Sequence, residues 1–147
     1  MAESLPKCEI ESKNLILKLQ KKLEGRVEAI PPFVESIMKI VQSMGCAAGK
    51  EREVEIALLE ALANAVVHGC KSDPTKEVEC CVACDESRGL LVIIRDPGQG
   101  FDPASIPSPI LGQNLFSTHG RGIFLINQLM DEVRYEKGGT EIHMKIS

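Results

Sequence analysis

Aromatic side chains are scarce in this sequence. They make up 3% of the 147 residues, and Trp is absent. Few flat rings means no stacking platform for single-stranded nucleic acid, and the interior has to be built from Leu, Ile, Val, Ala and Met. Basic clusters are missing as well. Lys and Arg number 17 against 21 Asp and Glu, giving a net charge of −4 and a pI near 5.4. The counterion release that drives binding to a phosphate backbone therefore has no surface to act on. No apolar run approaches the roughly 20 residues of a membrane span, and the N-terminal MAESLPKCEIES lacks the basic and apolar regions of a signal peptide. Nucleic acid and membrane are thus not expected as partners, and a cytoplasmic location is expected. What the chain does have is a hydrophobic content of 44%, enough for one compact domain over residues 1–147.

The six cysteines invite a metal or disulfide reading. The one C-x-x-C, Cys81 to Cys84, falls in a stretch that reads as a strand, where positions three apart point to opposite faces. No second pair completes four zinc ligands. In a reducing compartment Cys8, Cys46, Cys70, Cys80, Cys81 and Cys84 are expected to be small buried hydrophobes or free thiols.

Along the chain, within Glu9 to Glu24, Leu15, Leu17 and Leu19 alternate with Ile16, Lys18 and Gln20 and predict a strand that Gly25 breaks, with a helix as the competing reading. Pro31 and Pro32 suit the first turn of a helix, and Phe33, Ile37, Ile40, Val41 and Met44 carry its periodicity. Alternation from Glu77 to Asp85 predicts a strand with Val78, Cys80, Val82 and Cys84 inward. Glu86 to Gly89 form a hairpin connection, and Leu90 to Arg95 form a central strand that ends at Asp96. The stretch 97–122 is rich in Gly and Pro, a long loop of the kind that is usually functional. Ile123 to Met130 predicts a helix with Gly122 at its start. Val133 to Glu136 and Thr140 to Ile146 predict two strands joined by Lys137, Gly138 and Gly139. The order β-α-α-β-β-loop-α-β-β is α+β, with helices gathered on one face of a largely antiparallel sheet.

The stretch Glu51 to Gly69, EREVEIALLEALANAVVHG, predicts the principal helix, with Gly69 as its C-terminal cap. Ile56, Leu59, Ala63, Val66 and Val67 are expected on its buried face. Beside them run Glu60, Asn64 and His68 at i, i+4 and i+8. This row drifts by only about 40° per step, so it forms one polar stripe at the margin of a core. An acid and an amide there are costly unless something polar faces them. A solvated helix edge is the plain alternative.

Two glycine-rich turns supply what that stripe faces. Asp96-Pro97-Gly98-Gln99-Gly100 follows the central strand directly, and its glycines let backbone approach a ligand. His119-Gly120-Arg121-Gly122 opens a helix, where unpaired N–H groups and the helix dipole favour an anion and Arg121 adds charge-assisted contacts. It is neither a Walker motif nor a Rossmann turn.

Together, E-x-x-x-N-x-x-x-H on a helix, D-x-G-x-G after a strand, G-x-G opening a later helix and Gly-Gly-Thr before the last strand resemble the GHKL ATPases, the superfamily of gyrase, heat-shock chaperone, histidine-kinase and MutL ATP-binding domains. Size and the stretch GRGIFLINQLMDEV are most similar to the stand-alone anti-sigma-factor serine kinases of bacteria. The resemblance implies a Bergerat-type two-layer α+β sandwich, with a mixed, mostly antiparallel sheet, that binds ATP and magnesium. It implies Asn64 as the magnesium ligand and Glu60 as general base. It implies Asp96 as acceptor for the adenine amino group, supported by Thr140, with Gly98 and Gly100 letting the base lie against backbone. Gly120, Arg121 and Gly122 would cradle phosphates, and residues 104–119 would form a lid. His68 acquires no chemistry from the resemblance. The implied activity is transfer of the γ-phosphate to a serine of a STAS-type anti-anti-sigma protein by a homodimer that also sequesters a sigma factor. The alternatives are a nucleotide-gated binding module without transfer and a sensor-kinase domain acting on a His.

Overall fold

The computed structural model describes residues 15–85, 89–98 and 118–147, with side chains for 18–85, 89–98 and 124–147. Among the described residues five strands and three α-helices follow one another: β1 (Leu15–Glu24), α1 (Ile30–Met44), α2 (Glu51–Asn64), β2 (Glu77–Asp85), β3 (Gly89–Arg95), α3 (Thr118–Leu129), β4 (Glu132–Glu136) and β5 (Glu141–Ile146). The strands form one sheet in the order β1-β2-β3-β5-β4, antiparallel at every pairing. The three helices pack on one face of the sheet, an α+β sandwich.

Side-chain parity decides which residues meet the helices. Val78, Cys80 and Val82 of β2 and Leu90, Val92 and Ile94 of β3 join the core under the helices. Cys81, Ala83 and Ile93 lie on the reverse face in a separate small cluster. The alternation expected for Glu77–Asp85 is what the strand shows. In α1 the prolines occupy the first turn, where a missing N–H costs nothing. Gly45, at φ 68°, supplies the left-handed residue that closes the helix.

The long helix differs from expectation in three ways. Its buried face is Val54, Ala57, Leu58, Ala61 and Leu62, continued by Ala65 and Val66. Leu59 and Ala63 are half-buried and pack against the edge of the core, Ile56 is half-buried on the far side, and Val67 is 41% exposed. Apolar residues occur on both sides of this helix, so periodicity alone does not choose between them. Second, the α-helix ends at Asn64 and continues as one π turn, Ala65–Gly69, closed by the Cys70 N–H on the Ala65 carbonyl at 2.8 Å. Third, Gly69 is no left-handed cap. It ends the π turn, and Cys70 follows in right-handed conformation.

The cysteines also differ. Cys46, in the turn after α1, and Cys84 of β2 form a disulfide with Cα atoms 5.7 Å apart. Parity turns Cys84 to the helix side, under the connection that carries Cys46. Cys81, on the reverse face, is disulfide-bonded too. Cys70 and Cys80 are free and buried, as expected. Burial raises both thiol pKa values, that of Cys80 to about 12, so neither is a nucleophile at neutral pH. Among the described residues no helix is long and apolar enough to cross a membrane.

Candidate functional site

Glu60 and Asn64 sit one turn apart on α2, between its two apolar sides. Both are half-buried, and neither has a hydrogen bond or ion pair among the described residues. A carboxylate beside an amide oxygen combines a proton acceptor with a ligand for a hard cation. His68 leaves their row. A π turn takes more than four residues, so the residue four beyond Asn64 no longer stacks on it, and His68 is exposed.

The end of that turn reaches the second element. Gly69 is buried against the side chain of Asp96, which follows β3. The Asp96 carboxylate accepts the Gly98 N–H at Oδ1, 2.8 Å away, while Oδ2 has no partner among the described residues. Burial raises the Asp96 pKa, with the Gly98 hydrogen bond opposing it. A half-buried carboxylate with one open oxygen is an acceptor for an N–H donor. Thr140 meets Asp96 through main chain: the Asp96 N–H donates to the Thr140 carbonyl at 2.9 Å, and the Thr140 hydroxyl donates to the Lys137 carbonyl.

Behind this junction, on the sheet face away from the helices, register places Glu79, Arg95, Glu141 and Glu136 in one row. Arg95 Nε donates to Glu141 Oε2 at 2.5 Å. His143 Nε2 lies 2.6 Å from Glu141 Oε1, and its Nδ1 lies 3.2 Å from an Arg134 guanidinium nitrogen. A guanidinium only donates, so Nδ1 accepts and the ring proton sits on Nε2, directed at Glu141. Burial by itself would raise the Glu141 pKa. The hydrogen bonds from His143 and Arg95, with the Arg95 charge, outweigh it and hold the carboxyl below its ordinary range.

The third element is the start of α3, which packs against α2. The helix begins at Thr118, earlier than the expected Ile123, so Gly120, Arg121 and Gly122 stand within its opening turns and not before it. A helix formed around two glycines shows tertiary packing outweighing their low propensity. Gly100 and positions 104–117 of the expected lid lie outside the described residues; Thr118 and His119 belong to α3. The structure thus joins Gly69, Asp96, Gly98 and Thr140 by direct contact, and places Glu60 and Asn64 on the helix leading into that group.

Sequence reasoning passed over Gly69, Arg95 and Glu141. A glycine at a helix end reads as a cap, and a strand-terminal Arg or Glu reads as a solvated charge.

Residues 23–146 match the family described as the histidine kinase-like ATPase domain. The chain is similar to the serine-protein kinase RsbW of Bacillus subtilis (strain 168), 32% identical over 126 residues that cover 78% of this chain and 77% of that protein. It is 35% identical to the serine-protein kinase RsbW of Bacillus licheniformis over 124 residues, with the same shares covered. To that of Bacillus cereus (strain G9842) it is 26% identical over 136 residues, 87% of this chain and 84% of the relative.

Proposed function

Because the chain belongs to the histidine kinase-like ATPase family, we propose that it is one kinase-like domain that binds magnesium–ATP among α2, the Asp96 turn and the start of α3. On this reading it transfers the γ-phosphate to a serine of a STAS-type antagonist and sequesters a sigma factor. One observation carries the reading: Glu60 and Asn64 are half-buried without partners among the described residues, on the helix whose continuation rests against Asp96. The printed name of the relatives, serine-protein kinase, supports transfer to a hydroxyl.

The donor set fits the nucleotide. Asp96 Oδ2 is open to the adenine amino group, with Thr140 behind it. Gly98, and Gly100 beyond the described residues, would let the base lie on backbone. Among the described residues no group of three or more His, Cys, Asp or Glu is placed to hold a metal. A magnesium ion would therefore take one oxygen from Asn64 and the rest from phosphates and water, its usual arrangement. When bound, it neutralises charge on the triphosphate. Gly120, Arg121 and Gly122, in the opening turns of α3, would face the phosphates, where the N-terminal end of a helix favours an anion. Glu60 takes the proton of the serine hydroxyl while Oγ bonds to the γ-phosphorus. The bond from phosphorus to the β–γ bridging oxygen breaks, and ADP leaves. The proposal includes a cytoplasmic homodimer, with the exposed side of β1 as its contact, which sedimentation measures.

The test is incubation with γ-labelled ATP and the candidate antagonist. Label appears on serine, and Glu60→Ala lowers its rate by about 10²–10⁴-fold while ATP binding persists. Wild-type transfer by Glu60→Ala removes Glu60 as base. Tight nucleotide-dependent binding without label indicates a binding module, and acid-labile label indicates a His acceptor.

A further inference from the structure

Glycines in this fold serve two different purposes. Gly45, Gly49 and Gly138 have positive φ and open space where a side chain would go. Their requirement is conformational. Gly69 is the reverse. Its φ is not in the left-handed region, so any residue could adopt its backbone conformation, but there is no room for one. A Cβ on Gly69 would lie 2.5 Å from both Cβ and Oδ1 of Asp96, and against its Cγ. All three nearest atoms belong to that one side chain. The third member of the group is as tight. A Cβ on Gly98 would sit 2.8 Å from the Gly69 Cα and carbonyl oxygen and 2.9 Å from Asp96 Oδ1. The Gly98 N–H already holds that oxygen at 2.8 Å. The carboxylate is therefore confined between two glycine backbones, one of which also donates to it.

The π turn explains why Gly69 is the residue that meets Asp96. It widens the chain after Asn64 and closes through the Cys70 N–H to Ala65 carbonyl bond. Asn64 stands just before this turn and Gly69 ends it. A single turn thus links the helix row that includes Glu60 and Asn64 to the carboxylate after β3. Turns of this kind recur at functional sites.

We infer that Gly69 is a positioning residue for base recognition: its absent side chain is the space that holds the Asp96 carboxylate with Oδ1 on Gly98 and Oδ2 turned to the exocyclic amino group of a purine. This rests on the reading of Asp96 as the adenine acceptor. It adds that selectivity for a 6-amino purine over a 6-oxo purine depends on a residue that does not touch the nucleotide. A methyl at position 69 displaces the carboxylate, the hydrogen bond to the amino group is lost, and the remaining contacts treat both bases alike.

The experiment measures affinity for magnesium–ATP and magnesium–ITP by calorimetry in the wild type and Gly69→Ala. The wild type is expected to prefer ATP by about tenfold or more, the worth of a hydrogen bond to a charged group. In Gly69→Ala the preference falls to about threefold or less, chiefly through weaker ATP binding. General loss of structure lowers the binding-competent fraction for both nucleotides equally and leaves their ratio alone. A Gly69→Ala protein that keeps the wild-type ratio overturns the inference while leaving the nucleotide reading intact. A wild type that binds the two alike, or binds neither, overturns the nucleotide reading and this inference with it. A second measurement holds if Gly69→Ala folds poorly. In an Asp96→Gly background the added methyl has no carboxylate to meet, so Gly69→Ala is expected to lower the melting temperature in the wild type and hardly at all in Asp96→Gly. Equal losses in the two backgrounds overturn it.

Discussion

Arg95 donates to the buried carboxylate of Glu141 at 2.5 Å, one residue before Asp96 on β3 and one residue after Thr140 at the start of β5. The main chain closes the same junction, Asp96 N–H to Thr140 carbonyl at 2.9 Å. The strand end that carries the proposed base acceptor is therefore pinned from the sheet face opposite the helices. Glu141→Ala removes one partner of Arg95, which is only 14% exposed, and the acceptor for His143. Breaking a buried pair from one side costs about 3–5 kcal/mol when the remaining charge is left uncompensated; Arg95 keeps a further interaction and some exposure, so about 3 kcal/mol or less is expected here. Urea unfolding measures the loss. Arg134→Ala, which touches the same network at an exposed position, is expected to cost less than about 1 kcal/mol.

The same carboxylate gives the fold a pH dependence of defined sign. Glu141 has a folded pKa below its ordinary value, because hydrogen bonds from His143 and Arg95 outweigh burial. Its contribution is therefore fully present above the unfolded pKa and is lost as the pH falls through the folded one. The stability difference between wild type and Glu141→Gln is expected to be widest near neutrality. It narrows on acidification below about pH 4, the ordinary carboxylate value. A difference that stays constant down to about pH 3 contradicts this.

Asp96 has the opposite sign. Burial raises its pKa against the Gly98 hydrogen bond, so the ionised form costs the fold stability at neutral pH, and protonation relieves that cost as the pH falls through the folded pKa. Asp96→Asn keeps the shape and an oxygen for the Gly98 N–H but removes the charge. It is expected to raise the melting temperature and to lower ATP affinity by about tenfold or more. A variant that loses both stability and binding would show Asp96 to be structural. The gain without ligand is the trade expected of a charge held for binding.

Asn64 is separable from Asp96 by metal. Asn64→Ala is expected to weaken binding of magnesium–ATP by about tenfold and to leave binding of ATP in excess chelator unchanged. Calorimetric titration in both buffers measures the difference. Equal loss in the two buffers would place Asn64 on the nucleotide and not on the ion.

How far the fold was legible follows from what fixes each element locally. The span Glu77–Asp85 came out as expected because alternation is a local signal, and the turn prolines and glycines around α1 act locally too. The buried side of α2 did not, since Ile56, Leu59 and Ala63 are as apolar as Val54, Leu58 and Leu62, and only packing against the sheet, α1 and α3 selects between them. The start of α3 was misplaced because Gly120 and Gly122 read as breakers. At the candidate site Glu60, Asn64 and Asp96 were legible as polar residues in unfavourable or glycine-flanked positions. The reason for Gly69 was not, because a cap and a close approach call for the same residue. Only the neighbouring Asp96, distant in sequence, distinguishes them.

The Cys46–Cys84 disulfide was hidden for the same reason, since its ends are 38 residues apart. It ties the turn after α1 to β2 and so fixes the approach to α2. A loop of that length restricts the unfolded chain by about 4 kcal/mol on the chain-entropy account. Non-reducing peptide mapping is expected to recover a linked Cys46–Cys84 pair, while Cys70 and Cys80 react with alkylating reagents only after unfolding, being buried and protonated. Cys46→Ala is expected to lower the melting temperature by about 10 °C. Because Cys81 is bonded as well, this variant is compared with wild type under oxidising and reducing conditions. The two proteins should differ in the first and converge in the second. Persistence of the full difference under reduction would assign the loss to packing around Cys46 and not to the cross-link.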